Sequence, residues 1–304
     1  MFKKLVSLFL SVLMLCSMTA ALAEESLTVT DMFGREVTLT GPVTRIVAME
    51  PSDCEILYDL GCGDMLVGRG KYCDYPADVL ALPALESGAN TNLEEILALE
   101  PQVVVMSDMA HTKEQVELLA ANGVKVITTN ANSIAEVYES IRLLGQVTGK
   151  NAEAEAIVAD MQATFDGIAA KSEKTDKTIY FEVMPLEWGL WSAGANTFMQ
   201  EFAELCGMQN AFADMDGWQA ISQEQVIERN PDYIVLVTGM GDTAVDEVMG
   251  RQGWGDIEAI KNGKVFNADS YTMTRPAPRL KDAAMDLYNF LNDVGTEAEE
   301  TPAA

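Results

Sequence analysis

The sequence predicts an α/β protein of two similar lobes coupled by one long helix. Three observations predict it. Strand and helix patterns alternate along most of the chain, the order that builds a mostly parallel sheet. A segment of eleven residues occurs twice, offset by 130 positions, and each copy leads into an apolar strand. Between the copies, Ala152 to Lys171 carries an uninterrupted helical pattern.

The elements follow in order. Leu27 to Leu39 reads as a β-hairpin, with alternating residues around the turn Met32-Phe33-Gly34-Arg35. Arg45 to Met49 is a strand, and Ser52 to Leu60 a helix with a capping box from Ser52 to Glu55 and a stop at Gly61. Val103 to Met106 is an apolar run of the kind buried on both faces of a sheet. Lys113 to Ala121 is a helix, Val124 to Thr128 a strand, and Ser133 to Gln146 a helix capped by Ser133 and Glu136. The long helix recurs at Ile157, Met161, Thr164 or Phe165, and Ile168 and would span ~30 Å at the α-helical rise. Thr178 to Val183 opens a second β/α series, with strands Tyr233 to Val237 and Lys264 to Asn267 and a last helix, Arg279 to Asn292.

The repeat aligns Asn92–Gln102 with Ser222–Asp232. In each copy an N-cap residue has Glu95 or Gln225 three positions on, and Pro101 or Pro231 closes the short helix before a buried strand. Glu94 and Glu224 fall at the second helical position, where each carboxylate complements the helix dipole. The divisions expected are 1–23 leader, 24–148 first lobe, 149–175 connecting helix, 176–294 second lobe and 295–304 acidic flexible tail.

Composition narrows the function. The 304 residues carry a net charge of -27 and are 48% hydrophobic, so the chain folds and repels nucleic acid and anionic headgroups. Lys3 and Lys4, the apolar run Leu5 to Met18 and Ala21-Leu22-Ala23 form a secretory leader cleaved after Ala23, which sends the protein to the periplasm or cell surface. Cys16 stands where a lipoprotein signal would place it, but Leu15 precedes it where such signals carry a small residue. The mature chain keeps Cys54, Cys62, Cys73 and Cys206 without a C-x-x-C; the sequence permits Cys62 to pair with Cys73, and buried free thiols are the plainer reading. His111 is the sole histidine, too few for a bare Zn²⁺ or Mn²⁺ site. No G-x-S-x-G, H-E-x-x-H or phosphate loop is present. The expectation is a binding protein rather than an enzyme, with no cofactor and no resident metal. A secreted hydrolase stands as the alternative from another class.

At Asp31-Met32-Phe33-Gly34-Arg35, Arg45-Ile46-Val47, Gly68 with Tyr72-Cys73-Asp74-Tyr75-Pro76, Asn92-Leu93-Glu94, Glu100-Pro101-Gln102-Val103-Val104, Ala193-Gly194-Ala195-Asn196-Thr197, Gly217-Trp218, Ser222 to Val226, Asn230-Pro231-Asp232 and Arg275-Pro276-Ala277-Pro278-Arg279, the chain resembles the solute-binding proteins of ABC importers for cobalamin, heme and ferric siderophores. The resemblance runs from Leu27 to Val294. It implies two Rossmann-like lobes joined by one long rigid helix, with the ligand in the interlobe cleft. It also implies a monomer that docks on an ABC permease dimer through Glu94 and Glu224, because in this family a glutamate of each lobe at these motifs meets permease arginines. The cargo it implies is a metal chelate, a ferric siderophore or a cobalamin-type corrinoid; capture of heme or another small ligand for sensing is the alternative. Trp218 matches a ligand-contacting tryptophan of cobalamin-binding relatives. Tyr72, Trp188, Trp191 and Tyr271, with neighbouring Tyr75, cluster where strand-end loops should line the cleft, and flat rings suit a large planar ligand. Arg275 follows the last strand, where it would pair with an anionic chelate. The loop Ser87-Gly88-Ala89-Asn90 lacks the tryptophan that some cobalamin binders carry there, and the ligand stays open between the two classes.

Overall fold

The structure, a computed structural model, describes residues 26–107 and 113–294. The leader, the acidic tail and His111 lie outside the described residues.

Strands β1 (Ser26–Thr30) and β2 (Glu36–Thr40) form the antiparallel hairpin. Asp31 shapes its turn: the carboxylate accepts from the amides of Phe33 and Arg35 at 3.1 and 2.9 Å and pairs with the Arg35 guanidinium at 2.6 Å. The first lobe continues through β3 (Ile46–Ala48), α1 (Pro51–Asp59), β4 (Leu66–Gly70), β5 (Ala84–Leu85), α2 (Leu93–Ala98), β6 (Val103–Ser107), α3 (Lys113–Ala121), β7 (Lys125–Thr129) and α4 (Ile134–Thr148). Its sheet is parallel, in the order β5-β4-β3-β6-β7. Val103 to Met106 of β6 are fully buried, as the apolar run predicts.

Helix α5 (Asn151–Lys171) then crosses to the second lobe, its 21 residues reaching ~32 Å. Ala154, Val158, Met161, Phe165 and Ile168 form its buried stripe, with Ile157 half-buried beside them. The second lobe comprises β8 (Thr178–Glu182), β9 (Trp191–Ala193), α6 (Phe198–Leu205), β10 (Gln209–Asn210), β11 (Trp218–Ala220), α7 (Gln223–Arg229), β12 (Tyr233–Leu236), α8 (Ala244–Met249), α9 (Glu258–Lys261), β13 (Val265–Asn267), α10 (Ser270–Thr274) and α11 (Leu280–Leu291). Its parallel sheet runs β10-β8-β12-β13, and β9 and β11 make a separate antiparallel ribbon. One apolar core spans both lobes. It runs from Val29 of the hairpin through Ile141 of α4 and Met161 of α5 to Phe202 of α6 and Leu287 of α11.

One expectation needs correction. The Ser52–Glu55 capping box does not form: α1 starts at Pro51, whose fixed φ suits a first helical position, and Glu50 caps without a side-chain bond. Glu55 is instead buried and held by arginines of the other lobe. The cysteines follow the plainer reading, free thiols, rather than the Cys62–Cys73 pairing. All four described cysteines are buried free thiols, and Cys73 shares the Ala48 carbonyl, 3.8 Å from each sulfur, with Cys54. Both copies of the repeat keep their N-caps, with one difference between them. Asn92 caps the Glu94 amide at 3.1 Å but gives its own amide to the Glu95 side chain, whereas Ser222 and Gln225 make the full reciprocal box. Both copies end alike: Glu100 and Asn230 take left-handed φ of 48° and 47° immediately before their prolines, reversing the chain into β6 and β12.

Candidate functional site

Between the lobes lies a cavity of about 610 Å³, a size that suits a small organic ligand. The first lobe supplies the segment after β3 (Glu50, Pro51, Ser52, Asp53), Ser107 at the end of β6, and the segment after β7 from Thr129 to Asn132. The second lobe supplies Val183 after β8, Phe198, Trp218 and Thr274-Arg275-Pro276. The first lobe's part of the wall is thus built near the carboxyl ends of parallel strands, where backbone leaves the sheet and side chains converge.

Trp218 forms the apolar wall with Phe198, edge to face at 5.5 Å between ring centroids. Its position depends on Gly194. The Gly194 amide donates to the Gly217 carbonyl at 2.8 Å, and a Cβ there would stand 2.2 Å from the Met215 carbonyl oxygen. Any larger residue would push the Trp218 turn away from β9.

Asp53 forms the polar wall. It is only 1% exposed. One carboxylate oxygen accepts from the Thr129 hydroxyl at 2.8 Å; the other, Oδ2, has no partner among the described residues, nor has the Ser107 hydroxyl. Burial pushes the Asp53 carboxyl up to about 8, the Thr129 bond working against it and the nearby Glu50 charge adding to it.

Arg275 lines the cavity and bridges the lobes. Its guanidinium meets Asp74 at 2.6 Å and Glu55 at 3.1 Å, and Arg279 takes Glu55 in a two-pronged pair at 2.6 and 2.9 Å. The tyrosines expected in the cleft gather around this bridge. Tyr271 stacks on Arg275 at 4.6 Å and Tyr75 on Arg279 at 3.7 Å, while the Tyr72 carbonyl accepts from Arg275 at 3.5 Å. A second interlobe contact stands beside Asn132 and Phe198: Glu201 of α6 accepts from the Ile134 amide at the start of α4, at 2.6 Å.

Of the residues singled out in the sequence, Trp218 and Arg275 meet on the cavity wall. Tyr72 and Tyr271 do not, because they pack about the bridge. Nor do Trp188 and Trp191: Trp188 is 70% exposed in the turn after Pro185, and Trp191 sits at the far end of the β9–β11 ribbon, paired with Ala220. Glu94 and Glu224 are exposed at the second position of α2 and α7. Hydrogen bonds from its own backbone amide and from Ser222 hold the Glu224 carboxyl below the usual range. Sequence reasoning missed Asp53, Ser107, Thr129 and Phe198. The available signal was place alone, since Ser107 and Thr129 end strands of the first sheet and Asp53 stands in the first turn of the helix that follows β3.

Among the described residues, no helix is long and apolar enough to cross a membrane, and no group of three or more His, Cys, Asp or Glu is placed to hold a metal ion. A family model described as periplasmic binding protein matches residues 46–272. An uncharacterized ABC transporter substrate-binding lipoprotein of Bacillus subtilis (strain 168) is 32% identical over 267 residues, covering 86% of this chain and 83% of the relative. A vitamin B12-binding protein of Vibrio parahaemolyticus is 27% identical over 254 residues, covering 83% and 91%. Among solved structures, a possible iron-binding (periplasmic solute-binding) protein from Staphylococcus epidermidis matches with a TM-score of 0.71 at 29% identity, covering 82% of this chain and 98% of that one. A periplasmic heme-binding protein from Roseiflexus, in apo form, matches with a TM-score of 0.74 at 25% identity, covering 83% and 99%.

Proposed function

The chain belongs to the periplasmic binding protein family, and from that premise we propose that it captures a metal chelate, a ferric siderophore or a corrinoid, in its interlobe cleft and delivers it to the permease of an ABC importer. The observation that carries the reading is the cavity of about 610 Å³ walled by both lobes, with the Trp218 and Phe198 rings on one side and hydrogen-bonding groups on the other. That combination holds an apolar-bodied ligand and fixes its orientation. Arg275 and the half-buried face of Trp218 are the proposed ligand contacts, and the exposed rings of Tyr72, Trp188, Trp191 and Tyr271 the proposed outer ones. The protein itself contributes no cofactor; the metal arrives within the cargo.

Delivery is assigned to Glu94 and Glu224, matched exposed carboxylates on the two lobes that would meet basic residues of a permease dimer. The protein acts as an exported monomer, with cleavage after Ala23. The relatives that bind vitamin B12, heme and iron support the chelate class. The test is native mass spectrometry with absorbance on the protein purified from its own host. A bound metal-containing species with the band of a corrinoid or a ferric complex is expected. A metal-free sugar, peptide or amino acid in the cleft overturns the assignment.

A further inference from the structure

Two polar groups of the cavity wall are left without partners among the described residues: Asp53 Oδ2 and the Ser107 hydroxyl. Asp53 stands in the first turn of α1 and Ser107 ends β6, so both belong to strand-end segments of the first lobe. Buried polar groups are stable only when hydrogen-bonded, and both residues line the cavity that a ligand would fill.

The sign of the wall narrows the ligand further. Among its described residues the cation is Arg275, and that guanidinium is already held by Asp74 and Glu55. Arg279 shares Glu55, so two arginines face two carboxylates and the bridge has no surplus positive charge. Glu50 and Asp53 stand on the same wall. A polyanion entering here would lose its water against carboxyl groups, with no uncommitted cation to offset the cost.

We propose that the cleft selects chelates without net negative charge, ones that present amide or amine N–H donors to Asp53 and Ser107 while their apolar body lies on Trp218 and Phe198. This deepens the binding-protein reading above and rests on it. Amide-rimmed uncharged complexes and cationic hydroxamates meet the requirement. Polyanionic catecholate complexes and carboxylate-bearing macrocycles do not. Because burial raises the Asp53 carboxyl, the empty protein keeps it largely protonated at neutral pH; a cationic ligand draws it into the ionised form, whereas an anion gains at most one hydrogen bond from it.

The test titrates the folded protein, by tryptophan fluorescence and calorimetry, with four defined probes: cyanocobalamin (uncharged, amide-rimmed), ferrioxamine B (cationic), a ferric tricatecholate (trianionic) and hemin (two propionates). Cyanocobalamin or ferrioxamine B should bind at least ~10-fold more tightly than either anionic probe, the scale on which unfavourable charge juxtaposition discriminates. Asp53→Asn should narrow the preference for ferrioxamine B over the tricatecholate by roughly 10-fold. Ser107→Ala should weaken whichever favoured probe binds, and provides the readout if Asp53→Asn does not fold. Tighter binding of the tricatecholate or hemin overturns the charge selection and leaves the chelate reading standing. Binding of none of the four overturns both. An unchanged probe preference in folded Asp53→Asn, or unchanged affinity in Ser107→Ala, removes these residues from the site and overturns the proposal.

Discussion

At Asp53 two requirements oppose each other: the helix start places a carboxyl in the wall, and burial resists its ionisation. The stability consequence has a definite sign. The folded value of about 8 lies above the ordinary 3.8, so between those values the folded chain keeps a proton that the unfolded chain releases. Stability conferred by this site is therefore fully present below pH 4 and declines as pH rises toward 8. Above that it stays level. Asp53→Asn should be the more stable protein at pH 9, by roughly 2–5 kcal/mol, with the difference shrinking toward zero near pH 4. Urea melts of both proteins across that range measure it, and a gap that widens on acidification contradicts it. On the opposite wall, Trp218→Ala should weaken binding of the native ligand by about 1–3 kcal/mol, the scale of a lost aromatic anchor, and abolish most of the fluorescence quench. Trp218 was singled out by its Gly217-Trp218 motif, through the family resemblance, and Arg275 by its place after the last strand, and both line the cavity. Asp53 and Ser107 were not singled out, since one polar residue in a helix's first turn or at a strand's end forms no pattern. Glu55 was misread for a related reason: three residues after a serine it imitates a cap, and only the second lobe reveals its arginine partners.

Elements whose signal is local came through the sequence intact. The hairpin, the Ser133–Glu136 capping box and the length of α5 depend on periodicity and caps within a few residues. Strands β4, β9 and β11 did not, for they are short or glycine-bearing. Gly70 of β4 is fixed by the approach of Met49, whose carbonyl oxygen would lie 2.0 Å from a Cβ there, a constraint invisible along the chain. The paired helices α2 and α7 were legible because the chain states them twice, down to the left-handed residue before each proline. Their exposed glutamates give a prediction at this scale. Replacing Glu94 and Glu224 together with alanine should leave ligand affinity nearly unchanged and lower stability only slightly, because each carboxylate is exposed and acts on its helix terminus through solvent. Uptake by vesicles carrying the cognate permease should collapse, each single variant showing a partial defect. Normal uptake by the double variant rejects the docking role; loss of affinity together with uptake does so as well.

The whole molecule is held by three ties of different kinds: the covalent crossing at α5, a continuous apolar core, and the ion bridge from Glu55 to Arg275 and Arg279. The bridge is the most sensitive to substitution. Glu55→Ala leaves Arg279 without its carboxylate and Arg275 with Asp74 alone, and breaking one partner of such a buried set costs roughly 3–5 kcal/mol. Thermal melts should show that loss, whereas Asp74→Ala, which removes the more exposed partner, should cost less. Equal losses from the two variants would mean that burial of Glu55 is not what makes the bridge matter.

The Glu201 contact leads to a different kind of observation. Helix α4 begins with an amide whose acceptor belongs to the other lobe, so every separation of the lobes on that side leaves the Ile134 N–H without its partner and open to solvent. That proton is a clock for the opening of the molecule. Its exchange with deuterated water should track the gape of the cleft, whereas amides deep in α4 should track global unfolding alone. A ligand that draws the lobes together should slow exchange at Ile134 selectively, and Glu201→Gln should quicken it in the empty protein. Equal protection of Ile134 with and without ligand would mean that the cleft admits its cargo without parting on that side.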